Sequence, residues 1–313
     1  MVVLILLIGF VVTFPLYSGV FPTRVLTYML MCAVLAVSWT MFSGATGYMS
    51  LAPAAFFGIG VYSMYLLQYY LPFPVIMVVG GLISFVLALL LGLVTLRLKG
   101  IYFTIFSFGL FVFIGNAVNY VEAEVFGRHG WVFPLLDPAI PLYTMLGLAV
   151  VTVVAIHFIR RSRLGLAMLS IGGNEEAAEH MGINTTRIKV LTFAISAVFM
   201  GAAGVVTAPS FIYSNAGIAF SSTYSFIPIV AAVFGGMGTL SGPVVGGLLF
   251  GFLQKTLQAR FQTYFMLGFG VIIVLVILFL PTGVAGLVPM LRDRLRRGSK
   301  SGKGGEAEQY ANT

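Results

Sequence analysis

Few side chains in this 313-residue chain can do chemistry. Its nine acidic residues are Glu122, Glu124, Asp137, Glu175, Glu176, Glu179, Asp293, Glu306 and Glu308. All of them fall outside the long apolar stretches. Proton- and sodium-coupled carriers usually hold an ionisable side chain at membrane depth, because the coupling ion must be bound there. The pattern therefore speaks against a proton-coupled carrier, although sodium can be held by carbonyls and hydroxyls. It speaks equally against a cation channel built on an acidic ring. His157 lies near a helix end and reads as a packed or snorkelling residue rather than a proton relay. Cys32 is the only cysteine; it reads as a small buried hydrophobe, and no metal-ligand set is formed with it. No G-x-x-x-x-G-K-[ST] phosphate loop exists; the Gly302-Lys303 pair is followed by Gly304. If ATP drives this protein, the ATPase is a separate subunit that needs a docking surface on this chain.

The elements around these residues are membrane helices. The chain is 59% hydrophobic and 8% charged, against about 25% charged residues in soluble domains. Such a chain is stable only with lipid as its solvent, which excludes a soluble α/β enzyme. With no charge before Arg24, the N-terminus reads as a first membrane helix rather than a cleaved leader. Stretches near the roughly 20 residues needed to cross a bilayer predict about ten segments. They are 2–16, 23–43, 49–70, 73–96, 101–121, 140–159, 188–208, 224–238, 242–255 and 264–281. Pro53, Gly58 and Gly60 predict a break in 49–70, and 224–238 with 242–255 reads as two spans or two half-helices. Alternation from a cytoplasmic N-terminus puts Arg97, Lys99, the cations bracketing 160–189 and those of the tail inside. Only Arg24, Arg128, Lys255 and Arg260 fall outside, as the positive-inside rule requires. Residues 1–297 form the membrane domain and 298–313 read as a disordered cytoplasmic tail.

The loop 160–189 is the longest polar connection and the candidate docking surface. Asn174 can cap a short helix with Glu175 and Glu176 in its first turn, ending at Gly182. Ala177, Ala178 and Met181 would then present a small apolar patch to a groove on a partner; a plain amphipathic connector is the competing reading. Tyr48, Ser50, Pro53, Thr104 and Ser107 are candidate pathway residues at the break, or else satisfy the backbone that Pro53 frees. Asn116 and Asn119 are read as interfacial. The glycines at 242, 246, 247 and 251 predict close helix packing rather than a ligand site. Externally, Glu122, Glu124, Arg128 and Asp137 could receive a partner by complementary charge, with Trp131 as an interface anchor.

Several runs carry a resemblance. Residues 176–182 match the E-A-A-x-x-x-G core by which ABC importer permeases contact their ATPases, without the I-x-L-P that follows it in that wider group. Residues 47–62 resemble the G-x-x-S-L-G-x-A-A-F-F-G-I-G-A-Y segment of branched-chain amino acid ABC permeases of the LivM type, with Ala52 and Pro53 as departures. Residues 96–103 resemble their L-R-L-x-G-x-Y-F, residues 161–165 and 181–184 the flanks of their cytoplasmic helix, 233–243 their G-G-x-G-[ST]-x-x-G-P turn, and 281–287 their terminal P-x-G-[LI]-x-G.

The resemblance implies an all-α polytopic membrane protein with an inverted pseudo-repeat and broken helices, in a bacterial inner membrane with both termini cytoplasmic. It implies a non-catalytic importer subunit that works with a second homologous permease, two ABC ATPases and a periplasmic substrate-binding protein. ATP and Mg²⁺ would be bound by those ATPases; this chain would hold no cofactor, metal or nucleic acid. The implied cargo is a branched-chain or other hydrophobic amino acid, with urea, short amides and aromatic acids as alternatives. An autonomous secondary transporter or channel is the competing class.

Overall fold

The computed structural model describes residues 19–127, 130–133, 136–260 and 270–271. The expected segment 2–16, all of 264–281 but residues 270–271, the tail 298–313, the motif at 281–287 and Arg128 fall outside these. Helix α1 spans Val20–Trp39 and continues as a π turn over Thr40–Gly44. It is followed by α2 (Pro53–Leu67), α3 (Phe73–Thr95), α4 (Ile101–Phe126), α5 (Ala139–Arg161), α6 (Arg163–Gly173), α7 (Glu175–His180) and α8 (Thr185–Thr207). Then come α9 (Ala216–Ala219), α10 (Thr223–Gly235) and α11 (Ser241–Arg260). Among the described residues, six stretches are long and apolar enough to cross a membrane: α1, α3, α4, α5, α8, and α9 continued into α10. The protein is therefore an all-α, multi-pass membrane protein.

Two helices form the centre. The best apolar windows of α1 and α8 are both 78% buried, whereas that of α4 is 17% buried. α8 packs most extensively on α3 and α2, and α1 on α11, α5 and α10. Glycine makes these approaches close. A Cβ on Gly60 of α2 would stand 1.9 Å from the Gly201 carbonyl oxygen of α8. The glycine pairs of α11 work on two faces: Cβ atoms on Gly242 and Gly246 would strike carbonyls at the end of α10, and those on Gly247 and Gly251 would strike the α1 backbone at Ala33 and Met29. Small residues thus admit backbone-to-backbone packing, which compensates for the weak hydrophobic drive between helices in lipid.

The expected breaks are present. α2 has 15 residues, or about 22 Å, short of the ~30 Å hydrocarbon core. It is entered through residues 47–52, which are not helical. The 224–238 and 242–255 pair resolves unequally. α11, with 20 residues, is about 30 Å long. α10, with 13, is a half-helix that α9 extends after a non-helical step at 220–222.

Three expectations are corrected. The 160–189 connection is not an open loop: α5 runs to Arg161, α6 occupies Arg163–Gly173, and α8 already includes Lys189. Glu122 and Glu124 do not belong to an external loop, because α4 continues to Phe126. Trp131 is buried rather than at the lipid interface, its ring against Tyr65 and Phe126. It also starts a short strand that pairs antiparallel with Tyr213–Ser214, a tie between the α4–α5 and α8–α9 connections that helix-period reasoning could not show.

Candidate coupling and translocation site

Irregular backbone at membrane depth is tolerated only where protein satisfies it, and residues 47–52 meet this condition with side chains from three helices. The Trp39 indole N–H donates to the Ser50 carbonyl at 2.9 Å. Thr104 donates its hydroxyl to the Met49 carbonyl at 2.9 Å. Ser107 accepts the Leu51 N–H at 2.9 Å. Ser225 accepts the Ala54 N–H at 3.1 Å and donates to the Leu51 carbonyl at 2.8 Å. Ser43 and Ser50 accept the N–H groups of Ser50 and Ala52. Pro53 opens α2, where its missing N–H costs nothing.

The structure thus brings Tyr48, Ser50, Pro53, Thr104 and Ser107 together around one break, with the hydroxyls of Ser50, Thr104 and Ser107 committed to backbone groups. The adjoining space between Trp39, Ser43, Pro53, Phe193, Ser196 and Met200 is too small to admit water. An open polar surface lies elsewhere. A groove of about 550 Å³ runs between α4 and α9, with Asn116 and Asn119 on one wall and Asn215, Ser221 and Ser222 on the other. The sequence signal was the three-residue spacing of Asn116 and Asn119, which puts both on one helix face. Their mid-to-outer position had instead suggested the lipid interface. Phe220 closes the inner edge, its ring seated where a Cβ on Gly58 of α2 would lie.

Asn174 caps α7 as expected, its side chain accepting the Ala177 N–H at 3.0 Å. Gly182, at φ +83°, ends the helix, and the Ile183 N–H returns to the Ala178 carbonyl. Glu176, Ala177 and Met181 are exposed, Met181 by 69%. Ala178 is fully buried and Glu175 turns inward, so these two hold the helix rather than present it.

Glu175 meets Lys189 of α8 in an ion pair of 2.5 Å, with the two side chains 14% and 3% exposed. Glu175 also accepts the Tyr48 hydroxyl, and the Lys189 ammonium lies 4.5 Å from the Tyr48 ring centre. Burial acts to raise the Glu175 pKa, but hydrogen bonds from Lys189 and Tyr48 and the charges of Lys189 and Lys99 outweigh it and hold the carboxyl below its ordinary range. A buried Lys189 was not anticipated: in the sequence it counted only as one more cytoplasmic cation.

Of the expected external docking residues, Glu124 is exposed. Asp137 is exposed and caps the start of α5 by accepting the Ala139 N–H at 3.0 Å. Glu122 is unavailable to a partner, being 2% exposed and accepting the Tyr62 hydroxyl at 2.7 Å. This carboxylate belongs to a membrane helix after all. α4 is 26 residues long, or about 39 Å. Glu122, one turn from its C-terminal end, is nearer the headgroups than the bilayer centre. Among the described residues, no cluster of His, Cys, Asp and Glu could hold a metal ion.

Comparison with known proteins agrees with this architecture. Residues 21–279 match the family described as the permease component of branched-chain amino acid transport systems. The high-affinity branched-chain amino acid permease protein LivM of Salmonella typhimurium is 27% identical over 97% of this chain and 78% of its own. LivH of Escherichia coli is 33% identical over 48% of this chain and 47% of its own. The ribose import permease protein RbsC of Haemophilus influenzae is 26% identical over 61% and 62%. No solved structure matches. With most of its length matched, the chain belongs to the branched-chain amino acid transport permease family.

Proposed function

We propose that this chain is one of two pore subunits of an ATP-driven importer in a bacterial inner membrane, with both termini cytoplasmic. A periplasmic binding protein delivers a small neutral or zwitterionic solute, and two separate ABC ATPases bind ATP and Mg²⁺. The observation that carries this reading is α7, a capped cytoplasmic helix with Glu176, Ala177 and Met181 turned outward. A short helix fixed from behind and apolar at its tip is suited to a groove on a partner. Branched-chain amino acids are the first cargo to test, since LivM and LivH carry that description.

The α4–α9 groove is this subunit's contribution to the pathway. It is lined by amides, hydroxyls and aromatic rings without a charged side chain, so it would pass a zwitterion by weak contacts and leave selectivity to the binding protein. The apolar outer face of α4, with Ile101, Ile105, Phe113 and Val121 exposed, would lie beside the second permease. Glu124 and Asp137 remain as external contacts for the binding protein.

Buried Glu122 is the one observation that favours an ion-coupled carrier. Its place near the headgroups weakens that reading, because a coupling ion is usually held near the midplane. Reconstitution separates the two. The importer predicts solute uptake only with the ATPases and ATP present; uptake by this chain alone down an ion gradient would refute it.

A further inference from the structure

Two cytoplasmic features converge on the broken entry to α2. The first is the contact of Glu175 with Lys189 and Tyr48. The second is backbone contact: a Cβ on Gly172, near the end of α6, would stand 2.3 Å from the Ala45 carbonyl oxygen, three residues before Tyr48. The α6–α7 unit therefore rests directly on the chain that leads into residues 47–52. Beyond Tyr48 that chain is held by hydrogen bonds from α1, α4 and α10, the last of which begins at the second break beside the groove.

A packed element held by discrete hydrogen bonds transmits displacement better than one held by lipid-exposed apolar contact, because its alternatives are few and separate. Burying an ion pair is also a poor route to stability alone, since an apolar pair of similar volume often does as well.

We propose that Tyr48, Glu175 and Lys189 form the relay by which movement of α7 reaches the unwound entry of α2, with Glu175 as a positioning residue rather than a docking one. This rests on the importer reading above. Outward movement of α7 would draw Glu175 from Tyr48 or take Tyr48 with it; either changes the support of residues 49–51 and, through Ser225, the start of α10.

The test uses the complete complex of this chain, its second permease and both ATPases in vesicles with the binding protein. Radiolabelled leucine, urea, acetamide and benzoate are supplied in separate batches. Moles of solute moved are divided by moles of ATP hydrolysed, for wild type, Tyr48→Phe and Glu175→Gln. Tyr48→Phe keeps the ring and removes only the hydroxyl. The relay predicts that solute moved per ATP falls about tenfold in both variants while the ATPases co-purify in the wild-type ratio. A wild-type transport ratio in Tyr48→Phe overturns the relay, and so does loss of ATPase co-purification in step with transport, which marks a structural or docking role. If the wild-type complex moves none of the four solutes with ATP, the importer reading falls and the relay with it.

Discussion

The Tyr48 hydroxyl donates to the Glu175 carboxylate across 127 positions of sequence. It joins a residue inside the break before α2 to the first residue of α7. Lys189 completes the contact from the buried side of α8. Removing one member of a buried ion pair strands the other charge, at a cost of about 3–5 kcal/mol. Lys189→Met should therefore lower the unfolding temperature of the purified protein clearly. Lys189→Met combined with Glu175→Gln should recover at least half of that loss. Equal destabilisation by the single and double variants would show that the pair is not coupled.

The same pair sets a pH dependence. The Glu175 pKa is lower in the folded protein than the ordinary value of about 4.3. Its contribution to stability is thus fully present above that value and is lost as pH falls through the lower, folded one. Thermal unfolding between pH 7 and pH 3 should show an acid loss that is smaller in Glu175→Gln. Identical profiles for the two proteins would contradict the assignment.

The exposed and buried faces of α7 predict different failures. Glu176→Lys and Met181→Asp change only the outward face, so they should weaken ATPase co-purification about tenfold and leave membrane insertion and thermal stability near wild type. Ala178→Asp puts a carboxylate where the side chain is fully buried and should destabilise the loop itself. Pull-down ratios together with unfolding temperatures would distinguish the two classes. Normal co-purification with both outward variants would remove α7 as the docking element.

The break at residues 47–52 depends on hydroxyls from other helices. Ser225→Ala deprives the Leu51 carbonyl and the Ala54 N–H of their shared partner, and each buried unpaired group costs about 1–3 kcal/mol. Ser107→Ala should act likewise through the Leu51 N–H. In contrast, Thr144→Ala, whose hydroxyl bonds only within its own helix, should change little. Unfolding temperatures of the three variants give the comparison.

Close helix packing gives a sharp contrast between glycines. Gly60→Ala would drive a methyl into the Gly201 carbonyl and should cost at least the ~1–3 kcal/mol of an overpacked core. Gly109→Ala meets nothing within 4 Å and should be neutral or slightly stabilising, because alanine is the better helix former. Similar detergent stability of the two variants would mean that α2 and α8 are not in backbone contact.

The sequence by itself determined the membrane class, the position of most described helices, the break before Pro53 and both ends of α7. Each depends on local physics: apolar length against bilayer thickness, a proline that cannot continue a ladder, an asparagine cap and a glycine at positive φ. The glycine spacings in α11 also predicted packing correctly, although not that alternate pairs face α10 and α1. What only the tertiary structure decided is which polar atoms are already committed. Thr104 and Ser107 were read as possible pathway residues, but their hydroxyls hold backbone groups of a segment 55 and 56 positions away. Glu175 and Ala178 were grouped with the exposed residues of α7, yet the helix turns both inward. Glu122 was assigned to an external loop because a carboxylate ends an apolar run on paper; Tyr62, from another helix, lets α4 carry it inside. Hydrogen-bond partners supplied by distant helices leave no period in the sequence, so in a membrane protein the fate of a buried polar group is settled only when the helices pack.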